Sequence, residues 1–332
     1  MNLATKGNAM SDQTPALVVD GLHKRYGDVE AVNGLSFSAR RGTVLGLLGP
    51  NGAGKTTTVQ IISTLLPFDR GTVTVLGKDV VRDARALRSE IGLTGQYTAL
   101  DEYLTGYENL EMIGQLYHLS GADARRRANE LLARFELVEA GKRLVKTYSG
   151  GMRRRLDLAA SLIVNPALLI LDEPTTGLDP HSRQTVWQMV RELVAGGTSL
   201  LLTTQYLEEA EELADDIVVI DGGTVVAQGT PDSLKTQVGG ARLEVHLAAE
   251  AKATVALEAL ERFSTASAEL NAETGVITVP AIKEPRLLAK VIRELDDLEI
   301  GVEDVRLREP TLDEVFLTLT GKNTVPAEPQ QA

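Results

Sequence analysis

The chain has 332 residues, with 34 Lys and Arg against 46 Asp and Glu, so its formal net charge is −12. This length is typical of two domains, and the excess of acid argues against a protein that coats nucleic acid, which needs a basic surface. Because cysteine is absent, disulfides, thiolate catalysis and Cys-based zinc sites are all excluded.

Membrane segments are not predicted anywhere in the chain. No apolar run approaches the length of about 18 residues that a spanning helix needs. Residues 1–15 are polar, lack the apolar core of a signal peptide and are predicted to be disordered. We therefore expect a soluble chain that stays in the compartment where it is made. Any role at a membrane then requires a partner that supplies the spanning helices.

Residues 16–235 predict a first domain with an α/β core. A glycine-rich loop separates the strand at Val44–Leu48 from a helix that ends before Pro67. Residues 97–165 are helical and more charged, which predicts a helical subdomain inserted into the core. Strands that alternate with helices indicate a parallel sheet. The predicted strands are Ala16–Val19, Ala31–Ala39, Val44–Leu48, Ala167–Asp172, Ser199–Thr204, Ile217–Asp221 and Thr224–Gln228.

Residues 236–320 predict a smaller α+β accessory domain. Its elements follow the order β-α-β-β-α-β of a ferredoxin-like unit, and a last helix is predicted at Leu312–Leu319. Residues 321–332 are rich in Pro and Gln and are predicted to be disordered. The predicted strands and helices of this ferredoxin-like unit are Arg242–Leu247, Ala249–Arg262, Thr265–Leu270, Val276–Pro280, Glu284–Leu298 and Ile300–Leu307.

A phosphate-binding loop is predicted at Gly49–Thr56, which matches G-x-x-x-x-G-K-T at every fixed position. Glycines allow backbone N–H groups to turn towards phosphate oxygens, Lys55 reaches the β- and γ-phosphates, and the Thr56 hydroxyl is a candidate ligand of Mg²⁺. A plain glycine-rich turn is disfavoured because a strand precedes the loop and a helix follows it. The candidate phosphate-binding residues are Gly49, Asn51, Gly52, Ala53, Gly54, Lys55, Thr56 and Thr57.

An acidic pair follows the apolar strand that ends at Asp172. The Asp172 carboxylate is a candidate ligand of Mg²⁺, and Glu173 is a candidate to polarise an attacking water. Taken alone, the pair is a weak signal, because many strands end in acids, and a solvated carboxylate at a strand end is the alternative for Glu173. Together with the phosphate loop, the pair predicts an enzyme that hydrolyses a nucleotide, because phosphoryl transfer needs a phosphate cradle, a metal and a water-positioning group.

Several further motifs resemble those of ATP-binding cassette (ABC) proteins. Tyr148–Met152 resembles the Leu-Ser-Gly-Gly-Gln signature, in which Ser149, Gly150 and Gly151 approach ATP. Gln96 resembles the Q-loop glutamine, a metal-contacting and catalytic residue, and Asp179 resembles the D-loop aspartate. Tyr26 resembles the aromatic residue that stacks on adenine, although an ordinary β-edge tyrosine is the alternative. The resemblance covers residues 16–235 and implies a P-loop ABC nucleotide-binding domain that takes ATP and Mg²⁺.

Two positions depart from the ABC pattern. Gln205 stands where the family has a histidine that contacts the γ-phosphate; its amide can still donate a hydrogen bond but does not titrate. We interpret Gln205 as a γ-phosphate sensor and expect slower turnover. Met152 replaces the signature glutamine, so any polar contact of that side chain is lost while the backbone role of Gly150 and Gly151 remains.

Both departures narrow the resemblance to the daunorubicin/doxorubicin resistance ATP-binding subfamily. The resemblance implies a head-to-tail pair of copies, each ATP lying between one phosphate loop and the signature of the other. It also implies a separate membrane permease, export of drugs or other amphipathic compounds, and a peripheral position at the cytoplasmic face of the cell membrane. A soluble ABC switch and an ABC-like sensor without hydrolysis are the alternatives. The matching segments are Thr147–Asp157, Leu201–Ala210, Gly95–Tyr97 and Leu312–Leu317.

Three charged or aromatic features outside the motifs have simpler interpretations. Arg153–Arg155 are expected to pair with neighbouring acids or with a partner chain rather than with nucleic acid. The acidic run 208–212 is expected to be a solvated helix face. Trp187 is expected to serve packing rather than the site.

Overall fold

The computed structural model describes residues 15–95, 100–237, 240–248, 253–264, 267–271, 274–281 and 286–321. The chain divides into two compact units between Gln228 and Gly229. The domain boundary predicted after residue 235 falls inside a helix of the second unit, and it stays a prediction. Apart from residues 15 and 321, the segments predicted to be disordered lie outside the described residues.

The first unit combines ten strands with seven helices in its described part. The strands are β1 (Leu17–Tyr26), β2 (Val29–Ala39), β3 (Val44–Leu48), β4 (Arg70–Val75), β5 (Lys78–Asp79), β6 (Ile91–Thr94), β7 (Leu168–Asp172), β8 (Ser199–Thr204), β9 (Asp216–Asp221) and β10 (Thr224–Gly229). The helices are α1 (Lys55–Ile62), α2 (Ala84–Leu87), α3 (Gly106–Leu116), α4 (Gly121–Arg134), α5 (Gly150–Ser161), α6 (Pro180–Ala195) and α7 (Leu207–Leu213).

A six-stranded sheet in the order β10-β9-β3-β8-β7-β6 forms the centre of this unit. The neighbouring pairs from β9 to β6 are parallel, and every residue of β3, β7 and β8 is buried. Burial on both faces explains why these strands are continuous apolar runs in the sequence. Their carboxyl ends meet at one edge of the sheet, which is where ligands bind in such folds.

A second sheet, β2-β1-β4-β5, is antiparallel and packs over the same core. Leu22, Leu35 and Val73 from this sheet join Leu47 and Ile61 in one apolar cluster. Strand β1 continues to Tyr26, well beyond the predicted Ala16–Val19, and its pairing with β2 shifts register between Val19 and Leu22. That irregularity interrupts the two-residue alternation from which a strand is predicted.

The helical segment predicted at 97–165 contains α3, α4 and α5 in its described part. Each begins at a side-chain cap: Thr105 forms a capping box with Glu108 before α3, and Ser120 and Ser149 cap α4 and α5. Along the described chain, no helix combines the length and apolar character that crossing a lipid bilayer requires.

The second unit contains a four-stranded antiparallel sheet in the order β12-β13-β11-β14. Leu243 and Ile277 of the sheet pack with Leu260 and Val291 of two helices in a separate apolar core. From β11 to β14 the element order is β-α-β-β-α-β, as the sequence predicts. The elements are α8 (Pro231–Gln237), β11 (Arg242–Leu247), α9 (Ala253–Glu261), β12 (Glu269–Asn271), β13 (Val276–Pro280), α10 (Leu287–Asp297), β14 (Val302–Arg308) and α11 (Leu312–Thr320).

Candidate active site

The loop between β3 and α1 has no room for side chains at its two motif glycines. A Cβ on Gly49 would lie 2.3 Å from the Ile220 carbonyl oxygen, and one on Gly54 would lie 2.4 Å from the Ala31 carbonyl oxygen. Gly54 also has φ +103°, a conformation that favours glycine. No side chain caps the start of α1 at Lys55. The loop therefore presents backbone N–H groups at a helix N-terminus, which is an anion-binding arrangement.

Lys55 places a buried ammonium group within this loop. Nζ donates to the Gly49 carbonyl at 2.6 Å and to the Pro50 carbonyl at 3.1 Å, and the residue is only 5% exposed. Burial lowers the pKa of Lys55, while the carboxylates of Glu173 and Asp172 act in the opposite direction. Strand β8 pairs in parallel with both β3 and β7, so the acidic pair at the end of β7 lies at the same sheet edge as the phosphate loop after β3.

The acidic pair is fixed by the neighbouring strand. The Thr203 hydroxyl donates to Asp172 Oδ1, and the Glu173 N–H donates to the Thr203 carbonyl at 3.0 Å. Glu173 has φ +49°, in the left-handed region that a non-glycine residue rarely adopts, and the Thr176 hydroxyl contacts its Oε2 at 3.3 Å. Backbone strain of this kind clusters at functional sites.

The signature and D-loop segments lie beside each other. Ser149 caps α5 by accepting from the Met152 N–H at 3.3 Å, and Asp179 caps α6 by accepting from the Ser182 N–H at 2.9 Å. A Cβ on Gly151 would lie 2.6 Å from Ser182 Oγ, so this glycine permits the close approach. Hydrogen bonds from Ser182 lower the pKa of Asp179. Gly150 faces open space.

The remaining predicted residues surround these elements. Tyr26 ends β1 with 47% of its surface exposed, and Lys24 Nζ lies 5.3 Å from its ring centroid. Gln205 is half-buried between β8 and α7. Gln96 lies outside the described residues. Within the phosphate loop, Asn51, Gly52 and Thr56 are exposed, Ala53 is buried and Thr57 is half-buried.

The three consecutive arginines of α5 pair with acids of the same chain, which confirms that part of their interpretation. Arg153 contacts Glu102 at 2.7 Å, and Arg155 contacts Glu136 at 3.6 Å. Arg154 does more than the sequence indicates, because its guanidinium is buried and reaches both flanks of the site. It donates to the carbonyls of Pro174 (2.6 Å), Gly95 (3.1 Å) and Asp172 (3.4 Å), and to Asp157 Oδ2 (3.3 Å).

The prediction of a solvated acidic face at 208–212 is wrong at Glu209. This side chain is fully buried, and its Oε1 accepts from Trp187 Nε1 at 3.0 Å. Burial raises the pKa of Glu209, and the hydrogen bond from Trp187 acts in the opposite direction. The helical period gave a usable signal, because residue 209 falls beside Leu213 on the apolar side of α7.

Comparisons with known proteins place the chain in a family. A family model described as ABC transporter matches residues 32–176. The daunorubicin resistance ATP-binding protein DrrA2 of Streptomyces coeruleorubidus is 53% identical, over 96% of this chain and 98% of that one. The daunorubicin/doxorubicin resistance ATP-binding protein DrrA of Streptomyces peucetius is 49% identical, over 93% of each.

A solved structure of an ATP-binding subunit of an ABC transporter aligns with a TM-score of 0.62 and 31% identity, and it covers 68% of this chain and 94% of that one. This coverage corresponds to the share of the chain occupied by the first unit. The relatives extend the similarity through the second unit. The chain therefore belongs to the ABC transporter family, among the ATP-binding proteins that include the daunorubicin and doxorubicin resistance proteins.

Proposed function

We propose that this chain hydrolyses ATP to drive a separate membrane permease that exports drugs or other amphipathic compounds. The observation that carries the proposal is that Lys55, Asp172 and Glu173 follow two strands, β3 and β7, whose carboxyl ends share one edge of the parallel sheet. The names of the two resistance proteins given above support drug efflux as the process. A soluble ABC switch is not favoured, because these relatives are resistance proteins.

The phosphate loop is proposed to hold the ATP phosphates through its backbone N–H groups. Lys55 exchanges its bonds with Gly49 and Pro50 for bonds to the β- and γ-phosphate oxygens, which bring charge of the opposite sign. Tyr26 stacks on the adenine, for which its exposed surface is suited. The backbone of the loop and Lys55 together would orient the γ-phosphate and stabilise its negative charge.

Mg²⁺ fits the oxygen donors that this site offers. The described residues contain no cluster of three or more His, Cys, Asp or Glu, but Mg²⁺ needs only one or two protein oxygens alongside substrate phosphates and water. We propose the Thr56 hydroxyl, the Asp172 carboxylate and Gln96 as its contacts. When bound, the ion would neutralise charge on the β- and γ-phosphate oxygens. The bond from Thr203 keeps one oxygen of Asp172 oriented.

Glu173 is proposed as the residue that accepts a proton from the attacking water. Its backbone is fixed to Thr203, and the strained conformation sets the direction of its side chain. Gln205 is proposed to donate an amide hydrogen bond to the γ-phosphate. Since an amide does not titrate near neutral pH, this contact cannot also exchange a proton.

A second copy of the chain is proposed to complete each site. Ser149, Gly150, Gly151 and Asp179 lie together at the N-termini of α5 and α6, where backbone N–H groups suit an anion. In a two-fold pair this face of one copy covers the ATP held by the phosphate loop of the other. Hydrolysis then releases the pair, because the γ-phosphate is the shared ligand.

A groove in the first unit is proposed to receive the cytoplasmic helices of the permease. Its volume is 510 Å³, and Leu65, Leu116 and Tyr117 expose apolar surface around it while Arg85 and Arg88 add positive charge. Exposed apolar residues rimmed by charge mark protein interaction sites. Docking here would hold the chain at the cytoplasmic face of the cell membrane.

Replacing Glu173 with glutamine tests the enzymatic part. We expect Mg-dependent ATP turnover to fall by about 10²–10⁴-fold while ATP affinity changes little, because general-base catalysis contributes that much to the rate. Glu139→Gln, at an exposed position of the helical segment, is the matched control and should turn over normally. Undiminished hydrolysis by Glu173→Gln would remove Glu173 from the mechanism.

Cross-linking in native membranes tests the partner. Because the chain has no cysteine, Leu116→Cys carries a photo-reactive maleimide at a single position, and Val138→Cys provides an exposed control that does not line the groove. We expect Leu116→Cys alone to capture a multi-spanning membrane protein, and that protein should co-purify with the unlabelled chain in mild detergent. Recovery with ribosomes, or with nothing, would favour the soluble switch.

A further inference from the structure

Helices α6 and α7 are joined by a row of contacts spaced one turn apart. On α6, Arg183, Trp187 and Arg191 follow the i, i+4, i+8 spacing that places side chains on one face. Arg183 contacts Glu208 at 3.6 Å, Trp187 donates to Glu209 at 3.0 Å, and Arg191 contacts Glu212 at 2.6 Å. We call these three contacts the α6–α7 clamp.

The middle contact differs from the outer two in burial. The indole of Trp187 and the carboxyl of Glu209 are both buried, whereas Glu208 and Glu212 keep half or more of their side-chain surface in solvent. Glu209 Oε2 and Thr175 Oγ1 are buried without a hydrogen-bond partner among the described residues. A displacement of α7 relative to α6 would break the one bond that Glu209 Oε1 makes, at the cost that buried polar groups carry.

The two helices begin at different parts of the proposed site. Helix α6 is capped by Asp179. Ser182 of α6 packs against Gly151 in the signature segment, where an added Cβ would lie 2.6 Å from Ser182 Oγ. Helix α7 begins two residues after Gln205, and the Tyr206 N–H is held by Thr204 Oγ1 at 2.9 Å. One end of the clamp thus leads to the proposed γ-phosphate contact and the other leads to the face proposed to meet the second copy.

We propose that Glu209 is a positioning residue that joins the Gln205 segment to the Asp179 segment. Binding of ATP at one site would then shift the face of the same copy that covers the other site. The proposal rests on the function proposed above. Helix α7 has only seven residues, too few to be stable alone, so its position depends on tertiary contacts. A shift of Gln205 towards a γ-phosphate therefore moves α6 as well, because the clamp leaves α7 little freedom to move separately.

The test measures amide hydrogen exchange of residues 177–183 with and without Mg-ATP, in a Glu173→Gln background that holds ATP. Trp187→Phe removes the indole donor and keeps an aromatic ring. We expect ATP to bind this variant within about twofold of the parent while the ATP-induced protection of 177–183 falls at least fivefold. In the Glu173-containing chain, kcat should fall about tenfold with KM unchanged.

Two further variants separate positioning from general packing. Glu209→Gln keeps an oxygen that accepts from the indole, so protection and kcat should remain near the parent values. Gln188→Ala removes a surface bond within α6, to Glu192, and should change nothing. If Trp187→Phe does not fold, the double variant Arg183→Gln/Arg191→Gln removes the two exposed contacts, and it should lower the protection about twofold.

The outcomes distinguish this inference from the function on which it rests. Failure of the Glu173→Gln parent to bind ATP would overturn both. If ATP binds and protects residues 177–183 equally in the parent and in Trp187→Phe, the role of Glu209 alone is overturned. The same holds for the double variant where that is the variant tested. Loss of protection in Gln188→Ala as well would also overturn it, because the effect would then not depend on the clamp.

Discussion

Replacing Arg154 with methionine tests whether one buried guanidinium holds α5 to both flanks of the candidate active site. Arg154 is 8% exposed and donates to the carbonyl oxygens of Pro174, Gly95 and Asp172. Burial lowers the pKa of the guanidinium, with Asp157 acting most strongly against this effect. Methionine keeps an apolar stem in the same space but donates nothing. Each of these carbonyl groups then loses a charged donor, and the contacts with Pro174 and Asp172 are buried.

The expected loss follows from the geometry of these bonds. Those at 2.6 Å and 3.1 Å are short enough to count fully, and a hydrogen bond to a charged group contributes about 1.5–3 kcal/mol. The contacts at 3.3 Å and 3.4 Å add less. Removing one partner of a buried ionic contact costs about 3–5 kcal/mol, so we expect Arg154→Met to lower the free energy of unfolding by that amount.

The neighbouring Arg153 provides the matched control. Its contact with Glu102 is partly exposed on both sides, and such surface pairs contribute about 0.2–1 kcal/mol. Urea unfolding followed by fluorescence of the single tryptophan, Trp187, measures the first unit for both variants. At a constant m value, the midpoint shift gives the difference in stability. If Arg154→Met lies within about 1 kcal/mol of Arg153→Met, the proposed anchoring role is refuted.

Three further predictions concern single groups. Gly54→Ala should abolish ATP binding, because its Cβ would lie 2.4 Å from a carbonyl oxygen. Gly52→Ala has open space around its Cβ and should cost only the strain of a left-handed backbone, about 1–2 kcal/mol. Titration calorimetry and thermal melts compare the two variants. Lys55→Met should weaken ATP binding at least tenfold without lowering Tm, since burial disfavours this ammonium; a lower Tm would contradict that account. Because the folded pKa of Glu209 is raised above its ordinary value of 4.5, the folded state binds more protons above that pH, and stability falls as the pH rises from there. Glu209→Gln should therefore gain Tm relative to the parent as the pH rises above 4.5, while exposed Glu212→Gln should not.

The parallel core could be predicted because its physical signals are local in sequence. The strands at Val44–Leu48 and Ser199–Thr204 have the predicted bounds, since burial on both faces requires a continuous apolar run. The phosphate loop could be predicted equally well, because any side chain at Gly49 or Gly54 would clash with a backbone carbonyl group. The spacing of the motif therefore predicts where the backbone approaches its neighbours closely, even when the fold is not known.

Strand β1 and the buried charges could not be predicted in the same way. In β1 the register shift after Val19 removes the alternation. Arg154 lies in a run of three arginines with nothing to distinguish it, and the carbonyl oxygens it binds belong to distant segments. Glu209 lies in a similar run of acids, and its partner Trp187 stands on another helix. Such contacts depend on how elements pack, which composition does not record.

The buried charges also explain how loops that bind an exposed ligand keep their geometry. Arg154 reaches from α5 to the backbone at the end of β7, and Glu209 reaches from α7 to α6. The carboxyl of Glu209 is also among the groups that raise the pKa of Arg154 against the effect of burial. A buried charge is costly unless it is bonded, so each one strongly restricts the relative positions of the elements it joins. Rigid strands end beneath the site, while charged side chains set the position of the helices around it. The signature segment, the acidic pair and the Gln205 segment are therefore connected through the interior, independently of any contact through the nucleotide.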